Sequence, residues 1–258
     1  MQLELCGANV FVQESGSGEK NLLLLHGWGC STQLMASVQG EMEKAMRVVS
    51  LDFPGHGKSG RPPEPWGVPE YMEMTAKAIE KLRLAPCDIV AHSFGARVAI
   101  LLAAEHPELV KRLVLTGAAG IKKPQTGKTS ARQQLYKGLR GAVNLAEKTH
   151  LFGSLPEKGR EALVQRFGSA DYKALDPEMR KTFVKVISLD LTDRLSQIRS
   201  PALLFWGAQD TETPLWMARV MEEKIPDAGL VVEEGAGHFA SLERSATFLR
   251  VLHSFFEV

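Results

Sequence analysis

The sequence predicts an α/β protein with a mostly parallel central sheet and helices on both faces. Three observations predict it. Through residues 10–118, short apolar runs alternate with helical patterns, the rhythm of strand–helix–strand units. Four apolar runs end in glycine-bearing loops that carry a polar side chain. In a parallel sheet such loops emerge together at the carboxyl edge, where open α/β sheets bind ligands. The rhythm then stops at residue 121 and resumes at Ala202, which marks an insertion into the fold.

The first strands are expected near 9–14 and 21–26. The second of them contains Leu22-Leu23-Leu24-Leu25 and runs into His26-Gly27-Trp28-Gly29, a loop able to aim a backbone N–H at one point. His26 is assigned to the architecture of that loop, satisfied by local backbone, and not to proton transfer. A third strand, 46–51, leads into Asp52-Phe53-Pro54-Gly55-His56-Gly57-Lys58-Ser59-Gly60, which is too rich in glycine for a strand and reads as a turn. It lacks the Gly-x-x-x-x-Gly-Lys-Ser/Thr spacing of a phosphate loop, so nucleotide binding is rejected.

A fourth strand, 87–91, is followed by an apolar helical pattern over 97–104. Between them Ala91 and Gly95 flank Ser93 at the two positions where a sharp strand-to-helix elbow excludes large side chains. That elbow holds the Ser93 hydroxyl out of the sheet, at a helix N-terminus whose dipole favours developing negative charge. If Ser93 attacks a carbonyl, the oxyanion needs two preorganised donors. The backbone N–H groups of Trp28 and Phe94 are the natural pair.

A strand at 112–116 precedes the insertion, which is polar and helical over 121–195 with breaks at 153–156 and 176–177. Beyond it, Ala202-Leu203-Leu204-Phe205-Trp206 leads to Gly207-Ala208-Gln209-Asp210, and Val231-Val232-Glu233 leads through a glycine turn to His238-Phe239. His238 is the candidate general base, and Asp210 is placed to orient its imidazole and stabilise the imidazolium. Asp52 and Asp88 also lie near strand ends. The order Ser93, Asp210, His238, however, is the chain order of one fold's triad and differs from those of the chymotrypsin and subtilisin folds.

Together, the His26-Gly27-Trp28-Gly29 loop, the 52–59 turn, the Ser93 elbow, Trp206-Gly207-Ala208-Gln209-Asp210 and Gly237-His238-Phe239 resemble the α/β-hydrolase-fold serine hydrolases over nearly the whole chain. The first of these motifs and the chain size are similar to those of the pimeloyl-carrier-protein methyl esterases. One departure is Ala91, where the elbow usually has glycine; alanine is small enough to pass the helix behind it. The resemblance implies one domain, with a core of 1–120 and 196–258 and a helical cap, 121–195, inserted after the sixth strand and placed over the active site. It also implies a carboxylesterase that works through an acyl-enzyme on a small-molecule ester, with no metal and no organic cofactor. Epoxide hydrolases and haloalkane dehalogenases of the same superfamily use a carboxylate at the elbow, so serine argues against both. A thioesterase, a carbon–carbon bond hydrolase, a hydroxynitrile lyase and a slow-turnover ligand receptor stay open. Candidate substrate-binding residues are Trp28, Leu34, Phe94, Phe152, Phe167 and Phe239.

With 258 residues, 44% of them hydrophobic, the chain can bury the core of a single α/β domain. Its net charge of +1 conceals an asymmetry: residues 121–195 carry 15 Lys and Arg against 8 Asp and Glu, while the remainder carries 16 against 22. A solvated basic helix face accounts for this, as does steering of an anionic substrate or an acidic acyl carrier protein. Arg132, Lys137 and Arg140 fall on one predicted helix of that stretch. Clusters such as Lys122-Lys123 and Arg180-Lys181 lack interleaved aromatics, which argues against nucleic acid. No segment approaches the roughly 20 apolar residues of a membrane span, and Met1-Gln2-Leu3-Glu4-Leu5-Cys6 is neither basic nor long and apolar. A cytoplasmic location is expected. Cys6, Cys30 and Cys87 cannot all pair and lack metal-ligand spacing, so they read as free thiols.

Overall fold

Successive residues of a strand point to opposite faces, so strands that are apolar at every position need cover on both sides. The computed structural model, which describes residues 1–122, 158, 161, 162, 165, 166 and 170–258, provides that cover. Among the described residues the strands form one eight-stranded sheet. In spatial order they are β1 (Gln2–Leu5), β2 (Ala8–Ser15), β4 (Met46–Leu51), β3 (Lys20–Leu25), β5 (Cys87–His92), β6 (Val110–Thr116), β7 (Ala202–Gly207) and β8 (Ala228–Glu233). β2 pairs antiparallel with β1 and β4, and every other neighbouring pair is parallel.

Alternation along the strands sorts the core into two layers. Leu23, Leu25, Ile89, Leu115 and Trp206 share one layer with apolar residues of α2 (Val68–Lys81), α3 (Phe94–Glu105) and α6 (Leu215–Lys224). Leu22, Leu24, Val90, Val114 and Phe205 share the other with α1 (Ala36–Met42) and α8 (Ser245–Phe256). All five strands expected before residue 120 are present. β1 adds a sixth that the pattern did not announce, since only Leu5 of its four residues is buried.

The chain divides into two compact units: Met1–Ile121 with Val184–Val258, and Lys122–Phe183, which follows β6. The second unit is shorter than the expected 121–195 because the residues just before 195 belong to the first. Leu191 and Leu195 are buried in the first unit's core, the Leu191 N–H donates to the Gly120 carbonyl (2.8 Å), and Arg97 Nη1 donates to the Leu189 carbonyl (2.9 Å). The expected break at 176–177 falls between α4 (Ala170–Ala174) and α5 (Pro177–Ser188), where Asp176 Oδ1 accepts the N–H groups of Glu178 and Met179. The break expected at 153–156 lies outside the described residues. No helix among the described residues is long and apolar enough to cross a membrane.

Candidate active site

β5 ends at His92 and α3 begins at Phe94, so Ser93 alone makes the turn between them. It does so at φ 51° and ψ −107°. Positive φ brings a Cβ against its own backbone, and a non-glycine residue held there stores about 1–3 kcal/mol of strain. The surroundings impose that conformation. The Ser93 N–H donates to the Thr116 carbonyl (3.1 Å), and the Ser93 carbonyl accepts from the N–H groups of Ala119 (3.2 Å) and Arg97 (3.4 Å). A Cβ at Gly95 would lie 2.6 Å from the carbonyl oxygens of both Leu25 and His26, so the first turn of α3 packs directly on the end of β3. Ala91, one residue before the end of β5, is fully buried and stands opposite Leu25 of β3 and Leu115 of β6.

His238 stands in the loop between β8 and α7 (Ala240–Glu243). That loop is tied to the one after β7 by a hydrogen bond from the Gln209 N–H to the Ala236 carbonyl (2.9 Å). His238 Nε2 lies 3.1 Å from Ser93 Oγ, and its Nδ1–H donates to Asp210 Oδ2 at 2.8 Å. Close approach requires glycine at position 117, where φ is +51° and a Cβ would lie 2.9 Å from the His238 carbonyl and 3.1 Å from Nδ1. Residues 93, 210 and 238 are thus one hydrogen-bonded chain, able to pass the serine proton to the imidazole and to stabilise the resulting imidazolium.

Asp210 is buried and accepts four hydrogen bonds. Oδ1 takes the N–H groups of Glu212 (2.9 Å) and Thr213 (2.8 Å); Oδ2 takes the Thr213 hydroxyl (2.7 Å) and His238. Burial pushes this carboxyl up, but the hydrogen bonds from His238 and Thr213 outweigh it and hold the group below its ordinary value. Asp88 is ruled out as the orienting acid by position: it sits at the start of β5, at the opposite edge of the sheet, paired in bidentate fashion with Arg112 (2.8 and 2.9 Å). Asp52 is engaged elsewhere, accepting the N–H groups of Thr32 (2.6 Å) and Lys58 (2.7 Å).

Of the two candidate oxyanion donors, Phe94 is the first residue of α3, where a backbone N–H has no intrahelical acceptor. The 26–29 loop lies against the elbow: a Cβ at Gly27 would be 2.9 Å from His92 Cδ2 and 3.4 Å from Ser93 Cβ. His26 has the architectural role expected of it. Its Nδ1–H donates to the Gly27 carbonyl (2.7 Å), its Nε2 accepts the Phe53 N–H (3.0 Å), and burial, with a contribution from His56, lowers its pKa to about 4.

Around this point the half-buried Trp28 ring meets Phe94 (centroids 5.3 Å) and His56 (4.7 Å) edge-on, and the exposed Phe239 ring lies 5.1 Å from that of His92. Leu34 packs into the core layer shared with α1. Phe152 and Phe167 lie outside the described residues. Two participants escaped the sequence. Thr213 carries the signal of an aspartate followed by a residue that closes an Asx-type turn, but Thr211 is equally plausible by composition. His92 looks like one more strand residue, yet its ring is buried 4.9 Å from that of His238, its Nδ1–H donates to the Thr116 carbonyl (3.0 Å), and burial with the neighbouring His238 lowers its pKa to about 3. Among the described residues, no three His, Cys, Asp or Glu side chains gather as a metal site requires.

Known proteins are similar to this chain at modest identity. A 2-hydroxymuconate semialdehyde hydrolase of Pseudomonas putida is 27% identical over 241 residues, covering 90% of this chain and 85% of its own. A pimeloyl-[acyl-carrier protein] methyl ester esterase of Chromobacterium violaceum is 28% identical over 255 residues, covering 95% and 96%. Among solved structures, an esterase from Exiguobacterium antarcticum superimposes with a TM-score of 0.77 at 22% identity, covering 100% of this chain and 99% of its own. A meta-cleavage product hydrolase from Pseudomonas fluorescens gives 0.74 at 22% identity, covering 100% and 97%. The family model of the alpha/beta hydrolase fold matches residues 20–245, from the first residue of β3 to the first of α8. That span contains the six parallel strands, the elbow and the loops that hold Asp210 and His238, and by it the chain belongs to the α/β-hydrolase fold family.

Proposed function

We propose that this chain is a serine hydrolase that cleaves a carboxylic ester through an acyl-enzyme. The observation that carries the reading is the hydrogen-bonded chain from Ser93 Oγ through His238 to Asp210, with the serine on a strained elbow. Ser93 Oγ attacks the ester carbonyl as His238 Nε2 takes its proton, and the carbonyl π pair moves onto oxygen, facing the Trp28 and Phe94 N–H groups. Collapse breaks the C–O bond to the alcohol, which leaves with the proton from His238. A water then attacks the acyl carbon, again giving its proton to His238, and the second collapse releases the acid and restores Ser93. Each step uses side chains, backbone and water alone.

An apolar acyl group suits the described walls. Trp28 and Phe94 are aromatic, Phe239 is aromatic and exposed, and His56 and His92 are held neutral by burial, with pKa values lowered to about 4 and about 3. Attachment of the acyl group to an acidic carrier protein is supported by the basic excess in residues 121–195 and by the name of the Chromobacterium relative. The name of the Pseudomonas putida relative favours a second reading, carbon–carbon cleavage with the same three residues.

The discriminating experiment compares kcat/KM over a panel of methyl esters, thioesters and vinylogous diketones, with free and carrier-linked acyl groups. Methyl esters are expected to lead by at least about tenfold, and charge reversal at Arg132, Lys137 and Arg140 to weaken only carrier-linked substrates, less so at high salt. Preference for the diketones overturns the ester reading, and tight binding with no turnover of any class overturns the enzyme.

A further inference from the structure

Thr213 sits in a polar turn that resembles many others, yet three observations single it out. It is buried while its neighbours Thr211 and Glu212 are exposed. The indole N–H of the fully buried Trp206 donates to the Thr213 carbonyl at 2.7 Å, so the residue is pinned from inside the sheet. Its hydroxyl lies 2.7 Å from Asp210 Oδ2 and 3.3 Å from His238 Nδ1, making a triangle with the two atoms whose alignment sets the imidazole.

The hydrogens in that triangle follow from valence. Nδ1 faces a carboxylate and carries a proton. The single hydroxyl hydrogen goes to the nearer acceptor, Oδ2, which leaves an oxygen lone pair toward Nδ1–H. Asp210 Oδ1 accepts two backbone N–H groups, whereas the hydrogen bonds to Oδ2, the oxygen that faces the imidazole, come from His238 and the Thr213 hydroxyl. The Thr213 hydroxyl is the contact that holds Oδ2 in place when the imidazole moves.

We infer that Thr213 is a positioning residue of the proposed reaction, acting through Asp210 to hold the imidazole of His238 in line with Ser93. This rests on the serine-hydrolase reading above. The role requires a hydroxyl at the β position and not the methyl beside it. Thr213→Val keeps the shape and removes the donor; Thr213→Ser keeps the donor and removes the methyl.

The test is the rate of covalent labelling by a fluorophosphonate, together with kcat and KM on the best ester, in the wild type, Thr213→Val, Thr213→Ser, Asp210→Asn and the Asp210→Asn/Thr213→Val double variant. Thr213→Val should lower labelling and kcat by about tenfold, the size of one hydrogen bond to a charged group, and leave KM within about twofold. Thr213→Ser should recover the rate to within about threefold. In the Asp210→Asn background Thr213→Val should cost almost nothing further, because the group through which it acts is gone. An equal cost in both backgrounds, or failure of Thr213→Ser to recover the rate, assigns Thr213 to structure and overturns the inference. If the wild type labels no faster than Ser93→Ala, it is the serine-hydrolase reading that fails.

Discussion

At the scale of single residues, Ser93 carries two opposed demands. As the proposed nucleophile it must project from a turn that one residue completes, and that turn imposes a positive φ on a side chain with a Cβ. Activity and stability should therefore separate there. Ser93→Ala is expected to abolish covalent labelling by an organophosphorus probe while the fold persists. Ser93→Gly should be equally unreactive but more stable than Ser93→Ala by about 1 kcal/mol, since glycine adopts φ near +50° without strain and this outweighs its greater freedom when unfolded. Urea denaturation of the two variants decides it: glycine no more stable than alanine would mean that the elbow stores no strain. The four hydrogen bonds on Asp210 show the complementary design, a charge made tolerable in a buried place by donors that also fix its direction.

At the scale of elements, loops that follow different strands are locked to one another, and this makes the site a property of the sheet edge. Asp52, just after β4, reaches the N–H of Thr32 on one side and of Lys58 on the other, while His26, just after β3, accepts the N–H of Phe53. Asp52→Asn should accordingly cost about 1–3 kcal/mol of stability, because one of its two N–H donors would face an amide NH₂. Labelling of the folded protein at 25 °C should stay within about threefold of wild type. Asp210→Asn should behave in the opposite way, with turnover lower by about 10⁴ through loss of the correct imidazole tautomer. Near-normal turnover in Asp210→Asn together with collapse in Asp52→Asn would exchange the two assignments. The same comparison shows what the sequence makes legible. The strands that frame the site are mostly apolar, and each leads into a glycine-bearing loop that carries a polar residue, so Ser93, Asp210 and His238 stand out. Thr213 and Gly117 do not, because their roles depend on which loops meet across the sheet edge, and the turns Thr211-Glu212-Thr213 and Gly117-Ala118-Ala119-Gly120 are locally unremarkable. β1 escaped for a different reason: as a short edge strand it buries one side chain and leaves almost no alternating pattern.

At the scale of the whole molecule, the two edges of the sheet have divided the labour. The amino edge serves stability: Arg112 joins Asp88 to the carbonyls of Phe255 and Phe256, tying β5 and β6 to the last turn of α8. The carboxyl edge gathers imidazoles, and three of them, His26, His56 and His92, are buried with pKa values lowered to about 4, about 4 and about 3, chiefly by loss of hydration. In the unfolded chain each returns to about 6.5. Below that value the unfolded state takes up protons that the native state refuses, so the stability these residues confer is complete above pH 6.5 and is lost as pH falls toward 4. Each histidine contributes a slope of up to about 1.4 kcal/mol per pH unit, which sets about 4 kcal/mol per unit near pH 5 as the limit for the three together. Between pH 5 and 6.5 ordinary carboxylates are ionised in both states, so the histidines dominate this window. Urea unfolding at pH 7, 6 and 5 should show midpoints that fall steeply below pH 6.5, with two to three protons taken up per molecule unfolded near pH 5. A midpoint that stays level from pH 7 to 5 would mean that these imidazoles are solvated or paired when charged, and that the carboxyl edge is not the dry, close-packed surface on which the proposed proton transfers depend.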